Sequence, residues 1–460
     1  MRELLVERSL PRFAAARAVS ALAGSGSAIG VGPLRLAERD PLPLPGDGWV
    51  RLRPLLSGIC GSDLATVDGA SSRYFEPIVS FPFVLGHEVV GVLDGDESGE
   101  RYVLEPVLGC AARGIDPPCD ACASGRKGAC ERIAFGQLEP GLQTGFCTQT
   151  GGGWSDGLLA HRSQLHRVPG ELSDEGAVLV EPTACAVHAA LAGGVAPGER
   201  AVVLGAGTLG LTTLAALRHH TLPASLLVVA KHPVQRELAS ELGADLVVKP
   251  EELERAVRRL TGSLALPRSG APERLTGGVD VVFDCVGSSS SIAASLAVVR
   301  PGGRIVLVGM PGAVRLDLAP LWQREVSLTG AYAYGSEQTA DGPRSTFDLS
   351  FELVASAGLD RLVSARYPLE RYEEAVRHAA HAGRRGAVKV VFDLRRPARA
   401  AWRTRDQDDA ARRDDATEAA PSPDGSTRAP RGPDGAAAVP RRSARGRTRN
   451  TTTEPVEAHE

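Results

Sequence analysis

Aromatic side chains make up only 4% of this sequence, and methionine occurs twice in 460 residues. Together with abundant Ala, Arg, Gly and Pro, that scarcity is a compositional bias and points to no function. Hydrophobic residues still reach 43%, an ordinary share for a globular chain of two or three domains. No run of ~18 or more apolar residues is free of charge, so no membrane-spanning helix is expected. Excess charge of one sign is also missing. With 52 Lys and Arg against 55 Asp and Glu the net charge is -3, which gives nucleic acid or an anionic membrane no electrostatic hold. Near the N-terminus, Glu3, Glu7 and several arginines break up the apolar stretch that a secretory signal needs, which points to a cytoplasmic protein. Thiols stay reduced there, so the eight cysteines read as metal ligands before disulfides.

What is present falls into stretches of different texture. Residues 1–180 carry short β-like runs such as Trp49–Arg53 and Phe83–Val92, broken by Gly and Pro. Between about 195 and 310, apolar strands (Ala201–Leu204, Leu226–Val229, Val279–Asp284, Arg304–Val308) alternate with helical stretches, the pattern of βαβ units and a parallel sheet. Mixed strands and helices return up to a strand at Ala387–Leu394. Residues 395–460 are Arg, Asp, Ala, Pro, Gly and Thr with one aromatic, Trp402, and read as a disordered tail. The tail's interspersed acids argue against a nucleic-acid arm.

The most specific local signal is Cys110-x8-Cys119-x2-Cys122-x7-Cys130. Four thiolates in one Gly- and Pro-rich loop suit a tetrahedral zinc, and a closed four-cysteine set is structural. A second, open set is spread more widely. Cys60 lies in SGICGSD, His87 in VLGHEVVG and Glu181 in LVEPTACAVHA, which together leave a fourth position for water or substrate. Glu181, just ahead of Pro182, could equally cap a helix. Ser62, two residues after Cys60, could accept a proton from an alcohol or simply satisfy a local turn.

The stretch AVVLGAGTLG runs from an apolar strand into Gly205-Ala-Gly207-Thr208-Leu209-Gly210 and a Leu- and Ala-rich helix. Its glycines allow a tight turn and close approach of a pyrophosphate to a helix N-terminus. The next strand should end in a carboxylate if the cofactor is NAD. Here it ends in Lys231-His232, with Arg236 following, which favours the 2′-phosphate of NADP unless Lys231 is merely a solvated loop residue.

In this order, Cys60-Gly-Ser-Asp63, Gly86-His87-Glu88, the cysteine lobe, Glu181-Pro182, GAGTLG and the late PGGRIVLVG resemble the zinc-containing medium-chain dehydrogenase/reductase family of alcohol, sorbitol and threonine dehydrogenases, over about residues 1–394. The resemblance implies an α/β protein: a GroES-like β-rich catalytic domain (1–180, with a zinc lobe about 105–135, completed by 326–394) around a doubly wound Rossmann domain (181–325). It implies hydride transfer between a secondary alcohol, polyol or amino alcohol and NAD(P), two Zn2+ per chain, and a homodimer or homotetramer. Cys60, His87 and Glu181 match the catalytic zinc positions, with Glu88 beside the metal or alternating as a ligand. Glu181 in place of a cysteine is the mark of the polyol and threonine branch. Six extra residues separate Cys110 from Cys119, and Ala65 stands where many relatives carry a relay histidine, so the relay must differ, with cofactor ribose or water as a receiver for the Ser62 proton. Cys147, Cys185 and Cys285 match no ligand position and read as core or loop thiols. Zinc-free quinone reductases lack Cys60, His87 and the lobe. A zinc-type quinone or aldehyde reductase and a non-catalytic zinc or redox sensor are the rival functions, and a sensor would be marked by a lost catalytic ligand. Pocket walls are expected around Asp68–Tyr74, Trp154 and Tyr332–Tyr334.

Overall fold

The computed structural model describes residues 1–269, 271–339 and 342–395, so the expectation of a disordered tail lies, apart from Arg395, outside the described residues. Six parallel strands form one sheet in the order Leu246–Val248, Ser225–Val229, Arg200–Leu204, Val279–Asp284, Val299–Leu307, Ser327–Gly330. This is the doubly wound strand order, with the first strand of the motif at its centre. Val203, Val228, Val281 and Phe283 pack on one face and Val202, Leu204, Leu227 and Val282 on the other. Burial on both faces explains why these strands read as continuous apolar runs rather than alternating ones. The sixth strand lies beyond residue 325, where the nucleotide-binding part was expected to end.

A second sheet joins distant parts of the chain. The strand Trp49–Gly58 pairs along its first half with Leu158–His161 and along its end with Lys389–Asp393, while Val89–Leu93 runs down its other side. Arg101–Leu104, Leu165–Arg167 and Val363–Tyr367 complete the seven strands. The last residues described thus close the sheet that the first hundred begin.

Three features differ from expectation. Residues 1–180 read as strand-rich, yet Leu10–Ala23 forms a helix, with Pro11 in its first turn and alanines along it. Asp68 fastens that region: its buried carboxylate accepts bonds from Ser20 Oγ, Ser25 Oγ and the Gly26 amide. Asp68 is therefore a structural anchor and not a pocket wall. Trp154 is likewise corrected. It is fully buried, donates from Nε1 to Gly58 O, and meets Phe392 edge-on, so it belongs to the core.

Candidate active site

Cys60 leaves the end of strand Trp49–Gly58 as the N-cap of a short helix, Gly61–Val67. His87 and Glu88 occupy the break between strands Phe83–Val84 and Val89–Leu93. The two segments meet, so that one ligand atom each from Cys60, His87 and Glu88 lies within 4.8 Å of the others. His87 and Glu88 are buried and Cys60 is half-buried. Glu181 stands outside this trio, in the first turn of helix Val180–Ala192, buried and held by a bond from Tyr334 Oη at 3.1 Å. Burial pushes its carboxyl up to about 7, although the His87 ring pulls the other way.

Sequence reasoning missed the groups that hold these donors. Asp63 accepts from the Cys60 amide at 2.9 Å and places its other oxygen 3.4 Å from His87 Nδ1. A carboxylate behind a ligating histidine fixes which ring nitrogen faces the metal. Asp63 was already visible within the CGSD motif, three residues after Cys60. Lys389 carried no such signal. Its buried ammonium bonds Glu88 Oε2 and Ile59 O. Room for that pair exists because residue 58 is glycine: a Cβ there would lie 1.9 Å from Glu88 Oε2 and 2.7 Å from Lys389 Cε. Ser62 sits half-buried one residue into the helix, with Ala65 a turn further on. Cys185 reaches back to Glu181 at 3.8 Å, and burial pushes its thiol well up, so it stays protonated. Cys285 is half-buried in the nucleotide part, donates to Thr213 Oγ1, and its thiol is likewise pushed up by desolvation.

The four lobe cysteines converge as a second set, their sulfurs all within 4.8 Å of one another. Cys110 and Cys119 stand 3.8 and 3.9 Å from Cys130. Ligands ~2.3 Å from one ion at tetrahedral corners stand about 3.8 Å apart, whereas a disulfide needs ~2.05 Å. Zinc therefore fits this cradle and a disulfide does not. Backbone amides of Cys110, Cys119 and Arg132 point at the sulfurs, as they would toward thiolates. Burial raises the Cys119 thiol, but amide and thiol donors around it bring it down to about 6. Arg113, fully buried, ties the lobe's base together through Leu108 O, Phe135 O, Leu138 O and Gly141 O.

At the nucleotide motif, Gly207 caps helix Thr208–His220, with Thr208 and Leu209 in its first turn. Gly210 passes so close to Gly205 O that a Cβ would lie 1.9 Å from it. Lys231 is exposed beyond strand Ser225–Val229, His232 caps helix Pro233–Glu241, and Arg236 Nη1 folds back onto Lys231 O at 2.9 Å.

Comparison with known proteins agrees with this arrangement. Residues 46–170 match the alcohol dehydrogenase GroES-like domain, and residues 208–346 match the zinc-binding dehydrogenase domain. Sorbitol dehydrogenase of Homo sapiens is 31% identical over 366 residues, 75% of this chain and 89% of that protein. The sorbitol dehydrogenase of Arabidopsis thaliana is 29% identical over 383 residues, 80% and 94% respectively. Among solved structures, galactitol-1-phosphate dehydrogenase from Escherichia coli superposes with a TM-score of 0.60, covering 85% of this chain and 100% of that one. At 18% identity it speaks for the fold alone. The chain belongs to the zinc-containing medium-chain dehydrogenase/reductase family. Its activity is zinc-dependent hydride transfer between an alcohol carbon and the nicotinamide of NAD(P).

Proposed function

We propose that the enzyme oxidises a polyol or another small secondary alcohol, with amino alcohols as the adjoining class, holds two zinc ions per chain, and prefers NADP to NAD. The observation that carries this reading is the convergence of half-buried Cys60 with buried His87 and Glu88, with Glu181 near enough for its charge to interact with both of the latter. Such a donor set leaves a place for an alcohol oxygen, while the four-cysteine lobe leaves none. The names of the sorbitol dehydrogenases it resembles support a polyol. Zinc held by the open set would supply a Lewis acid that lowers the pKa of the bound hydroxyl. Ser62 Oγ would take the hydroxyl proton and pass it to cofactor ribose or water, because Ala65 carries no relay atom. Asp63 orients His87, and Lys389 holds Glu88 beside the metal position. Tyr334 fixes the Glu181 carboxyl beside this set, where its charge interacts with His87 and Glu88. A nicotinamide cofactor held at the Gly205–Gly210 turn would supply the hydride acceptor for the alcohol carbon.

The catalytic part comprises residues 1–180 and 326–394 and the nucleotide-binding part residues 181–325, with the strand Ser327–Gly330 of the former pairing onto the sheet of the latter. No helix among the described residues is long and apolar enough to cross a membrane. The eight cysteines, all free, support a cytoplasmic site of action. A homodimer or homotetramer is supported by the strand Ser327–Gly330, which is exposed along its length at the edge of the parallel sheet. A particle mass of one chain in light scattering would overturn that last assignment.

A panel of polyols, secondary alcohols, primary alcohols and amino alcohols with each cofactor, read by nicotinamide absorbance, tests the substrate and cofactor together. The highest kcat/KM is expected for a polyol with NADP. Turnover confined to primary alcohols would overturn the substrate class, and a preference for NAD would overturn the cofactor assignment.

A further inference from the structure

The end of the second nucleotide-domain strand has an unexpected neighbour from the last part of the chain. The turn Ala382–Arg385 lies directly on the N-cap of helix Pro233–Glu241. The packing is tight enough that a Cβ on Gly383 would come 2.2 Å from His232 Cδ2 and 2.9 Å from Gln235 Nε2. Arg384 follows at once, exposed, and its charge reaches the His232 ring together with those of Lys231 and Arg236. Neither Arg384 nor Lys231 has a carboxylate partner among the described residues, and no acid occurs between Ser225 and Arg236. The first turn of the helix holds no acid either. Three cations and a histidine therefore crowd the positive end of a helix, an arrangement that repels itself until an anion arrives.

We propose that Arg384 is a specificity-determining residue for the cofactor: from the catalytic part of the chain it closes on the 2′-phosphate of NADP, opposite Lys231 and Arg236. This rests on the NADP preference proposed above and adds a residue from about 150 positions further along the sequence. Its consequence is that the phosphate is gripped by both parts of the molecule. Guanidinium geometry suits a phosphate with two parallel N–H donors, which a lysine supplies less well.

The test is binding of NADPH and NADH to the full chain, measured by nicotinamide fluorescence, for the parent enzyme and for Arg384→Ala, Arg384→Lys and Lys231→Asp. Arg384→Ala is expected to weaken NADPH about tenfold more than it weakens NADH, the loss of one charge-assisted bond. Arg384→Lys should recover part of that difference, and Lys231→Asp should move preference toward NADH. If Arg384→Ala weakens both cofactors by the same factor while Lys231→Asp still reverses preference, Arg384 is not part of the phosphate site although the NADP reading stands. A parent enzyme that binds NADH more tightly, unmoved by Lys231→Asp, overturns that reading and this proposal with it. Because Arg384 is exposed and forms no ion pair among the described residues, its variants should keep the parent melting temperature, which a thermal scan checks.

Discussion

Cys60→Ser is expected to lower kcat/KM by roughly three powers of ten or more while leaving the protein folded. A Lewis acid in such a site supplies several kcal/mol of transition-state stabilisation, and each ~1.4 kcal/mol is a factor of ten in rate. Serine keeps the shape of cysteine, and the Cys60 amide that donates to Asp63 belongs to the backbone, so the N-cap survives the change. His87 and Glu88 remain in place, each with its own partner in Asp63 or Lys389. The loss should therefore appear in turnover and in one zinc ion, with little change in the thermal transition. Circular dichroism, metal analysis and steady-state kinetics on the same preparation check this. Activity within tenfold of the parent would mean that Cys60 is not a ligand of the working metal.

The same residues show where sequence reading reaches and where it stops. Cys60 and His87 each sit in a short motif, a strand, a turn with glycine, then the donor side chain, and each motif is weak until the others stand beside it. The doubly wound sheet was legible for a related reason, since strands buried on both faces must be apolar throughout. Lys389 illustrates the opposite case. It is 301 residues from Glu88, and a lysine in an apolar strand carries no sign of its partner. Only the antiparallel pairing of Lys389–Asp393 with the end of Trp49–Gly58 brings the two charges together, in space left by a glycine. Arg384 was hidden similarly, because a surface arginine on a late turn looks like any solvated charge. Helix Leu10–Ala23 was missed although its signals are local. Its alanines and early proline lie in a stretch that is otherwise rich in strands. Trp154 misled in the other direction: a lone tryptophan flanked by glycines suggests a pocket wall, but those glycines let it pack inward against Gly58 O and Phe392.

Cys122→Ser should give the reverse pattern to Cys60→Ser. The lobe's own core consists of Cys110, Cys119, Ala121 and Cys130, with Ile115, Cys122 and Ile133 around it, so sulfur supplies most of what is buried there. Without an ion between them, those sulfurs have no comparable cohesion, because a thiol is a weak hydrogen-bonding group. Structural zinc contributes on the order of 10 kcal/mol to folding in isolated zinc-finger peptides at neutral pH, and losing one thiolate forfeits a large part of it. Here the lobe is also fastened at its base by Arg113 and by Lys127, which bonds buried Glu105 at 3.0 Å. The expected damage is therefore local opening of the segment from Cys110 to Cys130, not collapse of the two sheets. Limited proteolysis should cut within that segment, the thermal transition should begin earlier, and zinc should fall from two ions per chain to one. Activity per remaining catalytic zinc should drop far less than in Cys60→Ser. Two zinc ions retained with unchanged protease resistance would show that Cys122 is not a ligand. Loss of activity with full stability would instead exchange the roles of the two metal sites.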